Sequence, residues 1–398
     1  MRVLMLAWEY PPHVVGGLGK HVMELLPALG RLPGLQVHLI TPHLAGGDEV
    51  EEVGRATVHR VDPPELDGDF YTQAWQTNLT LERYAEGLIA QLGSFDLIHV
   101  HDWLTAFAGA ALKQNFRIPL LSTIHATERG RGRGTLESHQ ARAIHNVEWW
   151  LTYESWRVIA CSHYMAGEVR DYFQCAPDKI DVIPNGVDTT RFDALEGVDL
   201  TNFRSMYALP GEQIVFYVGR VVHEKGLHVL VAAAPKILAQ QPEAKFIIAG
   251  KGPELEALRS QAWSLGVGEK ILFAGFVSDQ DRDRLFKIAD CSVFPSLYEP
   301  FGIVALEAMA ARSPVVVSEV GGLQEVVEHA ETGITVYPDN PESLAWGIVH
   351  CLQHPAWARM RVDNAYRKVV EEYNWPRIAR LTGGVYQQVI QERAITDW

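Results

Sequence analysis

Two glutamates flank the start of a predicted helix within residues 294–307. Glu299 lies in the loop after an apolar, strand-like run, and Glu307 lies inside the helix. Both carboxylates can accept hydrogen bonds from sugar hydroxyl groups. The first backbone N–H groups of a helix have no intrahelical partner and, with the helix dipole, suit a diphosphate. Here they belong to Phe301, Gly302 and Ile303. The alternative is a helix start with acidic side chains that only complement its dipole.

Two cations, Arg220 and Lys225, follow another predicted strand and flank one turn. Both can therefore reach one diphosphate at the carboxyl end of that strand. Negative charge grows on such a leaving group as its bond to a sugar breaks, and fixed cations stabilise that charge most in the transition state. This chemistry needs no metal ion. Exposed loop cations are the alternative for either residue taken alone.

A glycine-rich loop, residues 8–19, connects the first predicted strand to the first predicted helix. Gly16 and Gly17 open that helix, so their backbone amides can also meet phosphate groups. The Gly-Gly-x-Gly pattern lacks the spacing of the dinucleotide fingerprint, which argues against an NAD enzyme. An ordinary glycine turn is the alternative.

Histidines and an aspartate end two further strands, where open α/β sheets place functional side chains. We interpret His99 as structural. His101 and Asp102 are candidate acceptor contacts, with a structural role equally open, and His125 follows the next long strand.

The loop after His125 alternates arginine and glycine. We hypothesise that it is a mobile cationic flap over an acceptor, formed by Arg129, Arg131 and Arg133. A flexible, solvated loop is the equal alternative.

An Asp-x-Asp pattern, Asp279-Gln-Asp281, could indicate a metal-dependent transferase. These acids, with Asp283, open a predicted helix, where a cap and an acidic first turn explain them. We therefore predict no metal site.

Two series of short apolar runs alternate with amphipathic stretches, which predicts an α/β fold of parallel strands buried on both faces. A Pro-Asn-Gly turn at residues 184–186 marks a boundary between two similar halves that we expect to face each other. We predict domains at 1–186 and 187–374, with a final helix in 375–398. Residues 46–69 are acidic and contain prolines, so we expect a loop or irregular edge structure there.

Composition excludes several classes of protein. The net charge of -14 argues against a general nucleic-acid binder. No apolar run is long enough to span a membrane, so no integral membrane contact is expected. The four cysteines are far apart, which indicates reduced thiols and a cytoplasmic protein.

The whole chain resembles glycosyltransferase family 4, whose mark is Glu-x7-Glu in the strand–loop–helix setting of Glu299 and Glu307. The resemblance implies the GT-B fold: two Rossmann-like domains across a deep cleft, with the C-terminal helix 375–398 packing back on the first domain. The first domain would hold the acceptor and the second the nucleotide sugar. Metal-independent transfer with retention of configuration is also implied.

The resemblance further implies roles for single residues. Glu299 would contact the donor sugar and Glu307 the nucleotide ribose. Arg220 and Lys225 would bind the diphosphate, and His125 the donor sugar. The base would lie near Val277.

The glycine loop is similar to that of glycogen and starch synthases, although Val14 stands where that branch usually has a lysine. We therefore expect transfer of a glucosyl unit from ADP- or UDP-glucose, with no other cofactor, to a glucan or another small acceptor. A mannosyl or other hexosyl donor with a sugar-phosphate acceptor is an alternative. A nucleotide-sugar epimerase is an alternative of another class, and a non-enzymatic binding protein is a third. Sequence leaves the oligomeric state open.

Overall fold

The computed structural model describes residues 1–396; Asp397 and Trp398, which end the predicted segment 375–398, lie outside the described residues. The chain folds into two compact units. The first comprises Met1–Gly186 together with the segment from Trp375, and the second comprises Val187–Asn374.

The strands are β1 (Arg2–Leu6), β2 (Gln36–Pro42), β3 (Val50–Val53), β4 (Ala56–Val61), β5 (Leu97–His101), β6 (Leu120–Ile124), β7 (Arg157–Ala160), β8 (Ile180–Val182), β9 (Gln213–Val218), β10 (Ala244–Ala249), β11 (Ile271–Gly275), β12 (Cys291–Phe294), β13 (Val315–Ser318) and β14 (Ile334–Val336).

The α-helices are α1 (Gly17–Leu29), α2 (Phe70–Leu92), α3 (Ala106–Phe116), α4 (Glu128–Arg131), α5 (His139–Glu154), α6 (His163–Phe173), α7 (Thr190–Asp193), α8 (Thr201–Ser205), α9 (Leu227–Gln240), α10 (Leu255–Ser264), α11 (Asp279–Ile288), α12 (Ile303–Ala310), α13 (Leu323–Val326), α14 (Pro341–Gln353), α15 (Pro355–Glu372) and α16 (Trp375–Ala394).

The first unit contains an eight-stranded sheet in the order β3-β4-β2-β1-β5-β6-β7-β8. Every neighbouring pair is parallel except β3 with β4. The central strands β1, β5 and β6 are buried along nearly their whole length. Parallel strands covered on both faces usually have near-continuous apolar runs, as β1 does. Strands β5 and β6 also bury polar side chains, namely His99, His101, Ser122 and Thr123.

Residues 46–69, where we expected a loop or irregular edge structure, contain regular strands at the sheet edge. Val50–Val53 and Ala56–Val61 form an antiparallel hairpin at the edge of the sheet. Gly54 makes the turn with φ +66°, a backbone conformation that glycine adopts without steric cost. The outermost strand exposes alternate residues, so it has no continuous apolar run to mark it.

The C-terminal helix α16 belongs to the first unit. Trp375, Ile378 and Tyr386 join the buried core that β1 and α1 also form. The Trp375 indole N–H also donates to the Glu24 carboxylate on α1. The final helix therefore completes the core of the unit in which the chain begins.

The second unit contains a six-stranded, wholly parallel sheet in the order β11-β10-β9-β12-β13-β14. The strand order changes direction between β9 and β12, and ligands bind at such switch points, beyond the carboxyl ends of the strands. The predicted helix after β12 is present as α12. Among the described residues, no helix is both long and apolar enough to cross a membrane.

Candidate active site

The central feature of the second unit is an ion pair between Lys225 and Glu299. The ammonium nitrogen of Lys225 lies 2.7 Å from Glu299 Oε2, and both side chains are largely buried. Ser296 Oγ donates to the same carboxylate oxygen over 3.4 Å. Lys225 follows β9 and Glu299 follows β12, so the switch point brings the two residues together from 74 positions apart.

The turn that carries Lys225 is packed tightly against the loop that carries Glu299. Gly226 has φ +66°, and a Cβ added there would lie 1.9 Å from the Pro295 carbonyl oxygen. Leu297 N–H donates to the Glu224 carbonyl oxygen over 2.8 Å. These backbone contacts fix the separation of the two charged side chains.

Arg220 occupies the same turn but contacts a different acid. Its guanidinium lies 3.2 Å from the Glu224 carboxylate, and 43% of its side chain is exposed. The buried Tyr217 hydroxyl donates to the Arg220 carbonyl oxygen over 3.0 Å and so holds the backbone in place. Arg220 is therefore a solvent-accessible cation near the carboxyl end of β9.

The helix start predicted to meet a diphosphate has the expected backbone. Gly302 precedes α12 with φ 108°, and a Cβ built there would overlap Leu323 and approach Glu299 Cγ to 3.8 Å. Phe301 is buried, whereas Ile303 is partly exposed. The first amides of α12 therefore lie beside the Glu299 loop, where they carry the positive end of the helix dipole.

Glu307 lies inside α12 and is 1% exposed. Its carboxylate pairs with the Arg191 guanidinium, and Arg282 lies 3.7 Å from the same oxygen. Asp283 completes the cluster through both arginines. The structure therefore places Glu307 in a buried ion network, whereas Glu299 pairs with Lys225. Sequence reasoning missed Arg191 and Arg282, because neither belongs to a motif around residues 294–307.

The Asp-x-Asp segment opens helix α11, as predicted. Ser278 Oγ caps the helix by accepting from Asp281 N–H over 3.1 Å. Asp279 pairs with Arg282, and Asp281 pairs with Arg284. Charge pairing within one helix accounts for both acids.

Val277 lies just beyond β11 and is partly exposed. Its neighbour Phe276 is 74% exposed, and the Lys251 ammonium group lies 5.8 Å from the Phe276 ring centre. Gly250 N–H donates to the Gly275 carbonyl oxygen over 2.7 Å, which holds the two strand ends together. An exposed ring at a strand end can stack on a flat base.

In the first unit, the glycine loop already binds a carboxylate. The Glu9 carboxylate accepts from Val15 N–H over 2.7 Å and from Gly16 N–H over 3.0 Å. Gly17 begins α1, and a Cβ at Gly19 would lie 2.5 Å from Glu9 Oε2. The amides of the glycine loop therefore bind the carboxylate of Glu9 within the same loop. Sequence reasoning did not identify Glu9.

His125 directly follows β6 and is held by two groups of the first unit. Its backbone N–H donates to Asp102 Oδ1 over 2.7 Å. Its ring Nε2 lies 3.0 Å from Nδ1 of His101, which ends β5. Burial lowers the pKa of both rings well below the ordinary value, so both imidazoles are uncharged at neutral pH.

Asp102 is 7% exposed and has φ 56°. Burial raises the pKa of its carboxyl to about 7. Hydrogen bonds from the backbone N–H groups of His125 and Ala126, and the charge of Arg131, oppose this rise. Asp102 is thus a positioning group for His125 that is only partly ionised near neutral pH.

His99 is structural, as interpreted from the sequence. Tyr386 on α16 contacts its Nδ1 over 2.8 Å, and Thr123 contacts its Nε2 over 2.8 Å. His21 on α1 was missed, although its ring centre lies 4.7 Å from that of His125. Its only sequence signal is a histidine on the apolar face of a helix.

The arginine–glycine segment forms a short helix and a hydrogen-bonded turn. Thr127 Oγ1 caps α4 by accepting from Gly130 N–H over 2.9 Å. Arg129 donates to the Gly134 carbonyl oxygen and lies over the Tyr172 ring at 4.9 Å. Arg131 and Arg133 are exposed. Two of the three arginines are thus presented to solvent.

Two α/β units, with a paired Lys225 and Glu299 beside the start of a helix at a switch point, fit the GT-B class of glycosyltransferases. A family described as Glycosyltransferase Family 4 matches residues 15–191, and one described as Glycosyl transferases group 1 matches residues 201–368. The chain is similar to an uncharacterised glycosyltransferase of Methanocaldococcus jannaschii, with 42% identity over 97% of this chain and 98% of the relative. It is also similar to a glycogen synthase of Mycobacterium tuberculosis, with 36% identity over 97% of this chain and 94% of the relative.

Solved structures agree with the fold. A sucrose-phosphate synthase from Thermosynechococcus elongatus has a TM-score of 0.83 and 28% identity, covering 98% of this chain and 100% of that one. The Anabaena protein HepE, solved with UDP-glucose, has a TM-score of 0.76 at 21% identity, covering 98% of this chain and 100% of that chain. The chain belongs to glycosyltransferase family 4 and is a glycosyltransferase of the GT-B type, related to glycogen synthase and sucrose-phosphate synthase.

Proposed function

We propose that the chain is a metal-independent, retaining hexosyltransferase that moves a glucosyl unit from ADP- or UDP-glucose to a glucan or another sugar acceptor. The buried Lys225–Glu299 pair at the switch point is the observation that carries this proposal. The names of two relatives, glycogen synthase and sucrose-phosphate synthase, support a glucan or a sugar phosphate as acceptor.

Each charged group has a role in the proposed reaction. Lys225 and Arg220 stabilise the negative charge that grows on the nucleoside diphosphate as it leaves. Glu299 orients Lys225 and accepts a hydrogen bond from a hydroxyl of the donor sugar. The first amides of α12 bind the diphosphate, and residues around Val277 bind the base.

In the first unit, Gly16 and Gly17 approach the donor phosphates, and His125 positions the donor sugar as a neutral imidazole.

Glu307 is the proposed contact for the nucleotide ribose, and its side chain is buried. Its carboxylate pairs with Arg191 and lies near Arg282. The arginines also offset the negative charge of Glu307 beside a diphosphate.

The test is a panel of ADP-, UDP- and GDP-sugars, scored by release of nucleoside diphosphate with and without glucan, glucose 6-phosphate or fructose 6-phosphate. We expect acceptor-dependent release from a glucosyl donor and an α-configured product by NMR. The rate with EDTA should not fall below the rate without it. A changed nucleotide sugar formed without any acceptor would identify an epimerase instead.

The Glu299→Gln variant tests the ion pair directly. It preserves side-chain shape but removes the charge opposite Lys225, so transfer should fall by at least about 100-fold. Glu328→Gln is the matched control, because it breaks the more exposed pair with Lys368 in the same unit. Equal activity of Glu299→Gln and wild type would refute the proposed role.

A further inference from the structure

Three histidines of the first unit bring their rings together from three different elements. His21 lies on α1, His101 ends β5 and His125 follows β6. One ring nitrogen from each residue lies within 4.8 Å of those of the other two. We call these residues the three-histidine cluster.

The hydrogen bonds around His21 leave a nitrogen lone pair available. His21 Nδ1 lies 2.6 Å from the amide oxygen of Asn185, and an amide oxygen only accepts. Nδ1 therefore carries the hydrogen, and Nε2 is a bare acceptor. His21 Nε2 is buried and has no hydrogen-bond partner among the described residues. An unpaired buried polar atom requires an explanation, and a bound ion or water is one of those explanations.

His101 and His125 supply two further nitrogens at a suitable separation. His101 Nδ1 and His125 Nε2 lie 3.0 Å apart. Two nitrogens that share one tetrahedral zinc ion, each at about 2.0–2.1 Å from it, lie roughly 3.3 Å apart. His101 Nε2 also has no hydrogen-bond partner within residues 1–396. The hydrogen shared between His101 Nδ1 and His125 Nε2 can therefore move to His101 Nε2, which frees both facing nitrogens without changing the number of bound protons.

The surroundings suit a dication bound by neutral imidazoles. Metal ligation requires uncharged histidine, and burial lowers the pKa of all three rings. The Asp102 carboxyl contacts the His125 backbone and can offset positive charge. Asn185 on the outer nitrogen of His21 is the kind of partner that orients metal-binding histidines.

We propose that the three-histidine cluster binds a transition-metal dication of the zinc class, and that the bound ion inhibits transfer by withdrawing His125 from the donor sugar. Three imidazoles and one water complete a tetrahedral zinc site. The inhibitory half rests on the proposed function, whereas the binding half does not. On this proposal, transfer proceeds without a metal ion and is suppressed when an ion occupies the three-histidine cluster.

Binding is tested on the full-length, tag-free protein by equilibrium dialysis with Zn²⁺ and by the visible spectrum of added Co²⁺. We expect one tight equivalent of Zn²⁺ and the intense bands of tetrahedral Co²⁺. His21→Gln, which keeps a polar group for Asn185, should weaken binding at least about 10-fold, and Asn185→Ala by about 10- to 100-fold. Thermal unfolding checks that each variant is folded.

Two control variants separate this site from other histidines. His59→Gln breaks the His38–His59 pair in the same unit, whose nitrogens lie 3.2 Å apart. Within the described residues, no third metal-binding side chain groups with this pair. His350→Gln disrupts the rings of His350 and His354 in the second unit, whose centres lie 4.5 Å apart. Both controls should keep wild-type binding. Absent tetrahedral bands in the wild type, or loss of binding only in His350→Gln, would overturn the assignment.

Inhibition is scored as the rate with Zn²⁺ divided by the rate with EDTA. This ratio should be well below one for the wild type and close to one for His21→Gln, whatever the basal rate of that variant. Tight binding with a wild-type ratio of one would overturn the inhibitory half. Absence of transfer from any donor would refute the proposed function and leave the binding result intact.

Discussion

Replacing Asp102 with asparagine should change how the stability of the protein depends on pH. Burial raises the pKa of this carboxyl to about 7 in the folded protein, from 3.8 in an unfolded chain. Between these values the folded state holds a proton that the unfolded state has lost. Wild-type stability therefore falls as pH rises through this window, by about 1.4 kcal/mol per pH unit. The full shift corresponds to about 4 kcal/mol.

The amide introduced by Asp102→Asn would still accept from His125 N–H but would not titrate. The wild type minus Asp102→Asn difference in unfolding free energy should fall by about 2 kcal/mol from pH 5 to 7 and level off above pH 8. The assay is chemical denaturation at each pH. Asp69→Asn is the control, because the Thr72 hydrogen bonds lower the Asp69 pKa and place its titration below this range. A flat or rising difference for Asp102→Asn would refute a protonated Asp102.

Three further substitutions test packing and backbone geometry. Tyr386→Phe leaves the buried Nδ1 of His99 without its partner and should cost about 1–3 kcal/mol in thermal unfolding. Gly226→Ala places a Cβ 1.9 Å from the Pro295 carbonyl oxygen at φ +66°, so we expect a loss of at least about 2 kcal/mol and reduced transfer. Gly16→Ala meets no atom within 4 Å, so stability should change by less than about 0.5 kcal/mol while the donor KM rises. An unchanged KM would argue against phosphate contact at Gly16.

Sequence predicted the parallel sheets well because their strands are buried on both faces. The apolar, strand-like run before Glu299 illustrates this: it is apolar apart from one serine, and it forms β12 at Cys291–Phe294. The hairpin Val50–Val61 was missed because an edge strand is half exposed and carries charged residues. Apolar periodicity therefore detects central strands better than edge strands.

The candidate site was predictable only where its chemistry is local in sequence. Glu299 and the start of α12 occur in one continuous motif, and Lys225 belongs to a short turn. The contact between Lys225 and Glu299 depends on the sheet order, which brings β9 beside β12. The Arg191–Glu307 pair joins residues 116 positions apart, and no local pattern encodes such a pairing.

The position of α16 in the first unit affects the order in which the two units can fold during synthesis. A ribosome completes Met1–Gly186 first, then all of Val187–Asn374, and only then the helix that supplies Trp375, Ile378 and Tyr386 to the core of the first unit. Part of the apolar surface of Met1–Gly186 therefore stays uncovered while Val187–Asn374, nearly half the chain, is synthesised. The second unit has no such dependence, since its sheet and helices are continuous in sequence. The later-made unit can thus reach its native state before the earlier one does.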